Sequence, residues 1–372
     1  MPLNNPSPIS TTRQPFGRVL VNGTPLSNWE RIEVTKNTNY VSDTWEIEIP
    51  LNGLPDSFPP AFWATQTDIE ITVQAGFKNS DGSLGTPSTL VVGLADEIDL
   101  DFIDFDNRQA LHCRGRDYSG ALIDSIVSQN YINLTSSQVA EKILANHPQL
   151  TGDIKATKIK IGTYFNNETS TATRRQTEWD LLTELAQYEG YVVLIQGKKL
   201  YFGPAPTPNT ANPYVFRYVP PNDAQTIQAN MLSLRCNRAL TLARDVKVIV
   251  QTFNYSTGKT VKKSAQMKNK GRSGNSAGTQ TYTYNMPNLT PAQAQQKASS
   301  LAILISNRER IIDIDAPGDT ALTTQTAVQL TGTGTDFDQT YFVDRLTHTL
   351  SVDGYMMSLR AKNHSPNSAL ST

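Results

Sequence analysis

The chain has few of the residues that hold metals or cross-link a fold. Its 372 residues include two cysteines, Cys113 and Cys236, and four histidines. The cysteines form neither a CxxC pair nor a zinc-binding pattern with the histidines. Cys113 stands beside apolar residues in a predicted strand, which favours a small buried side chain. We therefore expect no metal and no cofactor.

Long apolar runs are also missing. No run approaches the ~20 residues that span a bilayer, and residues 1–8 lack the basic and apolar regions of a signal peptide. The formal net charge of -1 gives no bulk attraction for nucleic acid or for an anionic membrane. We expect a protein that is made in the cytoplasm and stays soluble until it meets a partner.

Catalytic signatures are absent as well. The sequence contains no GxSxG, HExxH or comparable motif. Residues 258–260, Gly-Lys-Thr, resemble the end of a phosphate-binding loop, but Phe253 stands where that motif needs a glycine, and the segment leaves a strand without opening a helix. His112 and His348 lie in predicted strands with no obvious Ser, Cys or carboxylate partner, which favours packed or interface histidines over bases. The sequence predicts that the protein is not an enzyme.

What the chain does have is a β-rich composition. Charged residues make up 18% of it, below the roughly 25% of an average globular protein. Thr, Asn, Gln and Ser take their place, which is typical of polar turns and strand faces. Residues 16–117 show short alternating stretches, such as Trp45, Ile47 and Ile49, with turn signals between them. This region predicts an antiparallel β barrel or sandwich.

The pattern changes to helices and short strands after Gly115. Leu122 to Val127 has helical spacing, and Thr135 to Gln138 forms a capping box that opens a helix. Thr177 caps a further helix over residues 178–189, with Gly190 at its end. A hairpin over residues 192–202 follows. This middle region predicts a small α+β domain.

Strands resume after the Pro-rich linker that starts at Pro204. A polar stretch, Lys259 to Gln280, interrupts them, and its lysines form the one basic patch of the chain. The stretch is interpreted either as a solvated mobile loop or as a docking arm for an acidic partner. Thr290 and Pro291 then begin a third helix.

The densest group of acids lies near the end of the first β region. Apolar residues interleave with it, which is the pattern of a strand with one solvated face. Binding of a hard cation and glycosidase chemistry between paired carboxylates are the alternatives. The group comprises Asp96, Glu97, Asp99, Asp101, Asp104 and Asp106.

The last strands are the most informative stretch. Residues 339–350 and 351–360 predict a long hairpin with its turn at Asp353-Gly354. Phe342, Leu346, His348 and Leu350 are expected on one face. The hairpin echoes residues 94–116: each pairs an acid-bearing strand with a returning strand that ends in basic residues. The echo suggests two related β domains.

Three ordered stretches carry a resemblance. They are Cys113–Asp124, Thr177–Tyr191, and the segment from Ala316 to the final hairpin with its Asp-Arg pair and Asp-Gly-Tyr turn. Together they resemble phage tail baseplate hub proteins, the late control gene D and Mu-like hub family. The resemblance extends from about Val19 to Asn363.

The resemblance implies an α+β fold class, mostly antiparallel β, in which two tail-tube-like β-barrel domains carry inserted smaller α/β domains. The implied domains are 1–117 for the first barrel, 118–205 for a small α+β domain, 206–256 with 310–372 for the second barrel, and 257–309 for an inserted segment with a polar loop and a helix.

The resemblance also implies a structural role in the virion. A homotrimer would form a ring of six similar barrels that adapts a six-fold tail tube to a three-fold central spike. The implied partners are further copies of the chain, the tail tube protein, the central spike protein and baseplate wedge proteins. DNA would pass through without specific binding, and no small-molecule substrate is expected. Assembly in the host cytoplasm would precede genome ejection from a contractile tail.

Interface residues are the expected functional residues, and no catalytic ones are expected. Arg114, Arg116 and Asp117 stand at the first domain junction, and Asp344 and Arg345 in the final hairpin. Two other interpretations remain: a tail-associated cell-wall hydrolase or glycan-binding protein, and the base of a type VI secretion spike.

Overall fold

Antiparallel strands carry most of the fold. The computed structural model describes residues 13–103, 108–127, 131, 133–158, 160–161, 176–206, 208, 210–223, 225–240, 245–254, 258–269, 278–286, 289–306, 308–363 and 368–371. Within them a 14-stranded sheet joins the first and last β regions, and smaller sheets carry the remaining strands. The predicted α+β class with mostly antiparallel β structure is confirmed.

Seven strands form the N-terminal unit. They pair in the order β2-β1-β5-β6-β7-β4-β3. Asn22 and Gly23, both at positive φ, close the β1–β2 hairpin. A short helix that the sequence did not suggest, α1 (Pro60–Thr65), lies between β4 and β5 and buries Trp63. The strands are β1 Pro15–Val21, β2 Thr24–Leu26, β3 Arg31–Asn37, β4 Thr44–Pro50, β5 Glu70–Phe77, β6 Ser88–Asp101 and β7 Ala110–Asp117.

In its described residues the middle region contains three helices and short strands. Its elements are α2 Ser119–Asp124, β8 Leu134–Thr135, α3 Ser136–Ala145, β9 Thr151–Ile154, β10 Lys160–Ile161, α4 Glu178–Glu189, β11 Tyr191–Gln196 and β12 Lys199–Pro204. Both predicted helix starts are confirmed: Thr135 forms its capping box, and the Thr177 hydroxyl accepts from the Asp180 N–H at 3.0 Å. The prediction that helical spacing continues to Val127 is wrong, because Ser125 is extended and Ile126 bridges to Thr177.

A second set of strands follows, and an insertion interrupts it. In chain order the elements are β13 Tyr214–Val219, β14 Gln228–Ala229, β15 Ser233–Arg238, then β16 Val246–Asn254, β17 Lys259–Asn269, β18 Gln280–Asn285 and α5 Pro291–Ser306, then β19 Arg310–Pro317, β20 Ala327–Thr331, β21 Thr340–Ser351, β22 Gly354–Asn363 and β23 Ser368–Ser371. We call β13–β15 with β19–β22 the C-terminal unit, and β16–β18 with α5 the insertion.

The polar stretch after Gly258 is a strand, so the expectation of a mobile loop over Lys259–Asn269 is wrong. β17 pairs with β16 along nine residues and with β23 on its other side. Ala265 and Met267 face the core of the insertion. The polar composition is compatible with a strand because one face of the strand is exposed, and its pairing with β16 and β23 stabilises it. Residues 270–277 of the stretch lie outside the described residues.

The two units pair their strands in the same order. The C-terminal unit runs β14-β13-β20-β21-β22-β19-β15. The seven strands of each unit can be matched in chain order, β1 to β7 with β13, β14, β15, β19, β20, β21 and β22. With this matching, the strand order of the N-terminal unit is the same as that of the C-terminal unit. One pairing differs in direction, since β1–β5 is antiparallel and β13–β20 is parallel. The two related β domains suggested by the sequence echo are therefore present in the topology.

One strand joins the two units into a single sheet. The first residues of β21 pair with β20, up to Phe342 opposite Ala327. From Arg345 to Ser351 the same edge pairs with β3 instead, from Asn37 to Arg31. We call this pairing of β21 with β3 the seam.

A bulge in β21 changes which residues face the core. Tyr341 and Val343 are buried before it, and Leu346, His348 and Leu350 after it, because the register shifts between Val343 and Arg345. The prediction that Phe342 shares a face with Leu346 is wrong for this reason. The hairpin is confirmed, but its turn is Val352-Asp353 and not the predicted Asp353-Gly354, because Gly354, at positive φ, is already paired with Ser351.

The middle region and the insertion also contact each other. Lys297 of α5 donates from Nζ to Oε1 of Gln187 at 2.9 Å, and the Gln296 amide donates to the Glu189 carbonyl oxygen at the end of α4 at 2.6 Å. The two units are thus connected a second time, through the middle region and the insertion. None of the described helices combines the length and the apolar character needed to cross a bilayer.

Gly115 of β7 generates the first testable prediction. A Cβ there would overlap the Leu94 carbonyl oxygen and the Trp45 ring. Gly115→Ala should therefore lower the free energy of unfolding by about 3 kcal/mol, the range of a severe steric change in a core. Urea denaturation followed by tryptophan fluorescence measures this.

Gly278→Ala is the matched control, because a Cβ at Gly278 meets no atom within 4 Å. Equal stability of the two variants would contradict the close approach of β6 and β7.

Candidate functional site

Arginines and carboxylates cover the outward face of the β6–β7 hairpin. In β7 the residues Leu111, Cys113 and Gly115 are buried, so the alternate side chains point out. Arg116 makes two parallel bonds to Asp96, at 2.7 and 2.8 Å, and a further one to Asp124 at 2.9 Å. These hydrogen bonds raise the pKa of the Arg116 guanidinium. Arg116 thereby fixes the end of β7 to α2.

Arg114 engages the neighbouring acids in the same way. Its Nε lies 3.1 Å from the Glu97 carboxylate, and its terminal nitrogen contacts Asp99. His112 Nε2 lies 3.5 Å from Asp101, so the expectation that His112 has no carboxylate partner is wrong. The carboxylates from Asp96 to Asp101 occupy the partly solvated face of a strand, as the sequence favoured; Asp104 and Asp106 lie outside the described residues.

A cavity of about 320 Å³ opens on this charged face. Trp45 and Gly115 are among its lining residues, and the Trp45 indole donates to the Arg116 carbonyl oxygen at 3.2 Å. The rim holds Glu33, Glu46, Asp96 and Glu97 against Arg114 and Arg116. With more acids than bases, such a cavity suits a basic or amide side chain of a partner. Among the residues described, no group of three or more His, Cys, Asp or Glu side chains is placed to hold a metal ion.

Asp117 is buried where the N-terminal unit meets the middle region. Its carboxylate accepts from the Ser119 N–H at 3.0 Å, from the Ser119 hydroxyl, and from the Asp43 N–H at 3.3 Å. Burial, followed by the negative charge of Asp43, raises the pKa of Asp117 to about 6. Lys36 contacts Asp43 and supplies the nearby positive charge. Asp117 therefore positions the start of α2 at an electrostatic cost near neutral pH.

The other two predicted interface residues lie at the bulge of β21. Asp344 contacts Lys362 of β22, and its carbonyl oxygen accepts from the Thr38 N–H at 3.1 Å. Arg345 is exposed and opens the seam opposite Asn37. The predicted residues thus do not converge on one site; they occupy two hairpins.

These two hairpins carry the same arrangement. In each, the extra residue of a bulge is an aspartate: Asp96 between Ala95 and Glu97, Asp344 between Val343 and Arg345. Each aspartate contacts a basic residue whose strand partner lies two residues before the bulge, Arg116 in β7 and Lys362 in β22.

The residue after each basic side chain is also equivalent. Asp117 accepts from the Asp43 N–H at 3.3 Å, and Asn363 accepts from the Arg310 N–H at 3.0 Å. Sequence analysis missed Asp43, Lys362 and Asn363. The signal was available, because Arg-Gly-Arg-Asp at 114–117 aligns with Arg-Ala-Lys-Asn at 360–363.

His348 lies at the seam and is buried. Its Nδ1 is 2.8 Å from the Tyr355 hydroxyl. Burial, with a smaller effect of Lys36, lowers the pKa of His348 to about 4. A lowered folded-state pKa means that the unfolded chain binds the proton first, so His348 weakens the fold as pH falls from about 6.5 to about 4. The interpretation of His348 as a packed histidine is confirmed. Cys113 is likewise buried, which raises the pKa of its thiol to about 12.

The fold is similar to that of solved phage tail proteins. A tail protein of Neisseria meningitidis MC58 superimposes with a TM-score of 0.65 at 16% identity, covering 95% of this chain and 99% of that one. The 43 kDa tail protein of prophage MuSo2 from Shewanella oneidensis gives 0.66 at 12% identity, with coverages of 95% and 99%. A type VI secretion component of Escherichia coli gives 0.52 at 11% identity, with coverages of 94% and 77%.

The chain is a member of the YQBQ-like family, whose sequence profile matches residues 122–362. A search of curated protein sequences found no match. The resemblance to phage tail hub proteins is thereby confirmed at the level of the fold.

The raised pKa of Asp117 predicts a pH effect on stability. The unfolded carboxyl titrates near 3.9 and the folded one at about 6. Between these values the folded protein holds a proton that the unfolded chain has lost, so the free energy of unfolding falls as pH rises, by up to about 3 kcal/mol. Asp117→Asn should remove that fall.

Urea unfolding of parent and variant at pH 4.5 and pH 7.0 tests this. The variant should gain on the parent by about 2 kcal/mol between the two pH values. The same substitution at the exposed Asp353 controls for the lost charge. Parallel changes in parent and Asp117→Asn would show that Asp117 is not a strained buried acid.

Proposed function

We propose that the chain is the baseplate hub of a phage tail. Three copies form a ring that adapts the six-fold tail tube to the three-fold central spike and lines the DNA channel. The observation that carries this proposal is the repeated unit. One chain holds two β units with the same strand order, and in each a bulge aspartate contacts a basic side chain of the next strand.

The repeat meets a symmetry requirement. A ring of three chains presents six similar β units to the tube, while the chain itself repeats three times for the spike. Closed rings need head-to-tail contacts that return on themselves. Exposed strand edges supply such contacts because their backbone groups seek partners. The further partners in this proposal are the tail tube protein, the spike protein and the baseplate wedge proteins of a contractile tail.

The acidic face of β6 fits a channel that lets DNA pass. Glu97, Asp99 and Asp101 expose roughly half of their side chains. Negative charge on a channel wall repels phosphates, so DNA gains no specific binding there. The same carboxylates contact Arg114 and His112, which favours a structural role over catalysis. In this proposal the protein acts in the virion, after assembly in the host cytoplasm, and supports genome ejection.

A second candidate is the base of a type VI secretion spike. The likeness to the Escherichia coli secretion component favours it at the level of the fold. Labelled antibodies imaged on particles separate the two, because the hub proposal expects label at the tip of a phage tail.

Native mass spectrometry of the purified chain tests the ring. Trimers are expected, either alone or on addition of the spike protein. A stable dimer that persists across concentrations would contradict the proposal, because a two-fold assembly does not match a three-fold spike.

Incubation with peptidoglycan tests the absence of hydrolysis. No cleavage is expected from the parent protein or from the Asp99→Asn and Asp101→Asn variants. Cleavage by the parent that both variants lose would replace the hub proposal with an enzyme.

A further inference from the structure

The seam shows how one unit docks on the other. β3 of the N-terminal unit pairs antiparallel with the part of β21 that follows the bulge, with Val34 opposite His348. Because the two units repeat, each partner in the seam has a counterpart. The counterpart of β3 is β15, and the counterpart of β21 beyond its bulge is β6 from Glu97 onwards.

Neither counterpart edge has a strand partner within the described residues. β15 pairs with β19 on one side, and its other edge has no strand partner in the described part of the chain. β6 pairs with β5 up to Leu94 and, beyond that point, with β7 alone among the described strands. Each chain therefore has two strand edges without a strand partner in its described part. One, on β15, is equivalent to the β3 edge of the seam, and the other, on β6, is equivalent to the β21 edge.

We propose that β15 of one copy pairs antiparallel with β6, from Glu97 onwards, of the next copy, and so reproduces the seam between chains. This inference rests on the proposed hub function and names the contact that closes its ring.

The repeat fixes the register of this contact. Leu100 is four residues after the bulge at Asp96, as His348 is four residues after the bulge at Asp344. Cys236 is opposite Ile312 of β19 as Val34 is opposite Trp45 of β4. Leu100 of one copy then lies opposite Cys236 of the next, because His348 lies opposite Val34.

The side chains match in this register. Directly opposite residues of an antiparallel pair lie on the same face. On one face Leu100 and Phe102 meet Cys236 and Leu234, which covers the exposed ring of Phe102 (56% exposed). Leu100 and Leu234 already pack against the cores of their own units, so the new pairs extend both cores.

Charges match on the other face. Asp101 lies opposite Arg235, and Asp99 opposite Asn237. Arg235 is exposed and Asp101 is about half exposed in the single chain, so the pair forms with little loss of buried solvation. Opposite charges across an interface favour one register over its neighbours. Repulsion between acidic β6 edges disfavours a two-fold contact of β6 with itself.

Cysteine cross-linking tests the register. Cys236 is exposed and Cys113 is buried, so Leu100→Cys adds one accessible thiol opposite the natural one. Diamide should oxidise this pair to an intermolecular disulfide, with the diamide taking up the two hydrogens, because opposite residues of an antiparallel pair bring their Cβ atoms to about 4.5–5.5 Å. Non-reducing gels should show covalent dimers and trimers.

Two control variants separate the register from random collision. Leu100→Cys with Cys236→Ser should give no cross-link. Asp99→Cys, whose side chain points to the other face, should cross-link at least about fivefold more slowly than Leu100→Cys. Equal rates for Leu100→Cys and Asp99→Cys would overturn the register.

A charge exchange tests the contact without a covalent bond. Asp101→Arg alone and Arg235→Asp alone should each weaken trimer formation by about tenfold, because each places like charges opposite one another. The double variant should recover most of the loss. Circular dichroism melting of each variant verifies the fold, and failure of the double variant to recover trimers would overturn the Asp101–Arg235 pair.

The outcomes separate this inference from the proposed function. Trimers by native mass spectrometry without a Leu100→Cys cross-link would overturn the β15–β6 contact and leave the hub proposal standing. Cross-links confined to dimers at every concentration would contradict the ring itself. Monomers without any cross-link, both alone and after addition of the spike protein, would overturn both.

Discussion

The structure depends on the antiparallel pairing of Arg345–Ser351 with Arg31–Asn37, and that pairing depends on one extra residue. Asp344 inserts a bulge into β21, so that Tyr341 and Val343 before it and Leu346 and Leu350 after it are all buried, the first three in one core and Leu350 in the other. Without it the strand would turn its apolar side chains to solvent on one side of the seam, because side chains alternate with a period of two. The bulge lets one strand serve two units.

Ion pairs hold both bulges at the same place. Asp96 contacts Arg116, and Asp344 contacts Lys362. A surface ion pair contributes little to stability, of the order of 0–1 kcal/mol, so its value here is positional: it fixes which residue is the extra one. The units differ at the next position, where a buried acid stands in the first and Asn363 in the second. The Asn363 amide accepts from one backbone N–H without carrying a charge. The carboxylate of Asp117 accepts from the equivalent N–H and also from Ser119, at the start of α2.

Local features of this fold were predictable and distant pairings were not. The capping box at Thr135, the Asn22-Gly23 turn and the final hairpin follow from short-range chemistry, and all are present. The strand after Gly258 was missed because its polar sequence does not indicate a strand by itself; it is a strand because it pairs with β16 and β23. The seam joins residues about 300 positions apart, and nothing local specifies it. For the charged site, residue type identified Arg116 and Asp344, whereas their roles required the register of both hairpins.

The contact between α4 and α5 gives the molecule a second link that acts in parallel with the seam. Lys297 and Gln296 hold the end of α4 through Gln187 and the Glu189 carbonyl oxygen. A force that separates the two β units would act on the seam and on the contact between α4 and α5 together. A force along the axis of such a chain would be divided between two links and not concentrated on one strand pairing.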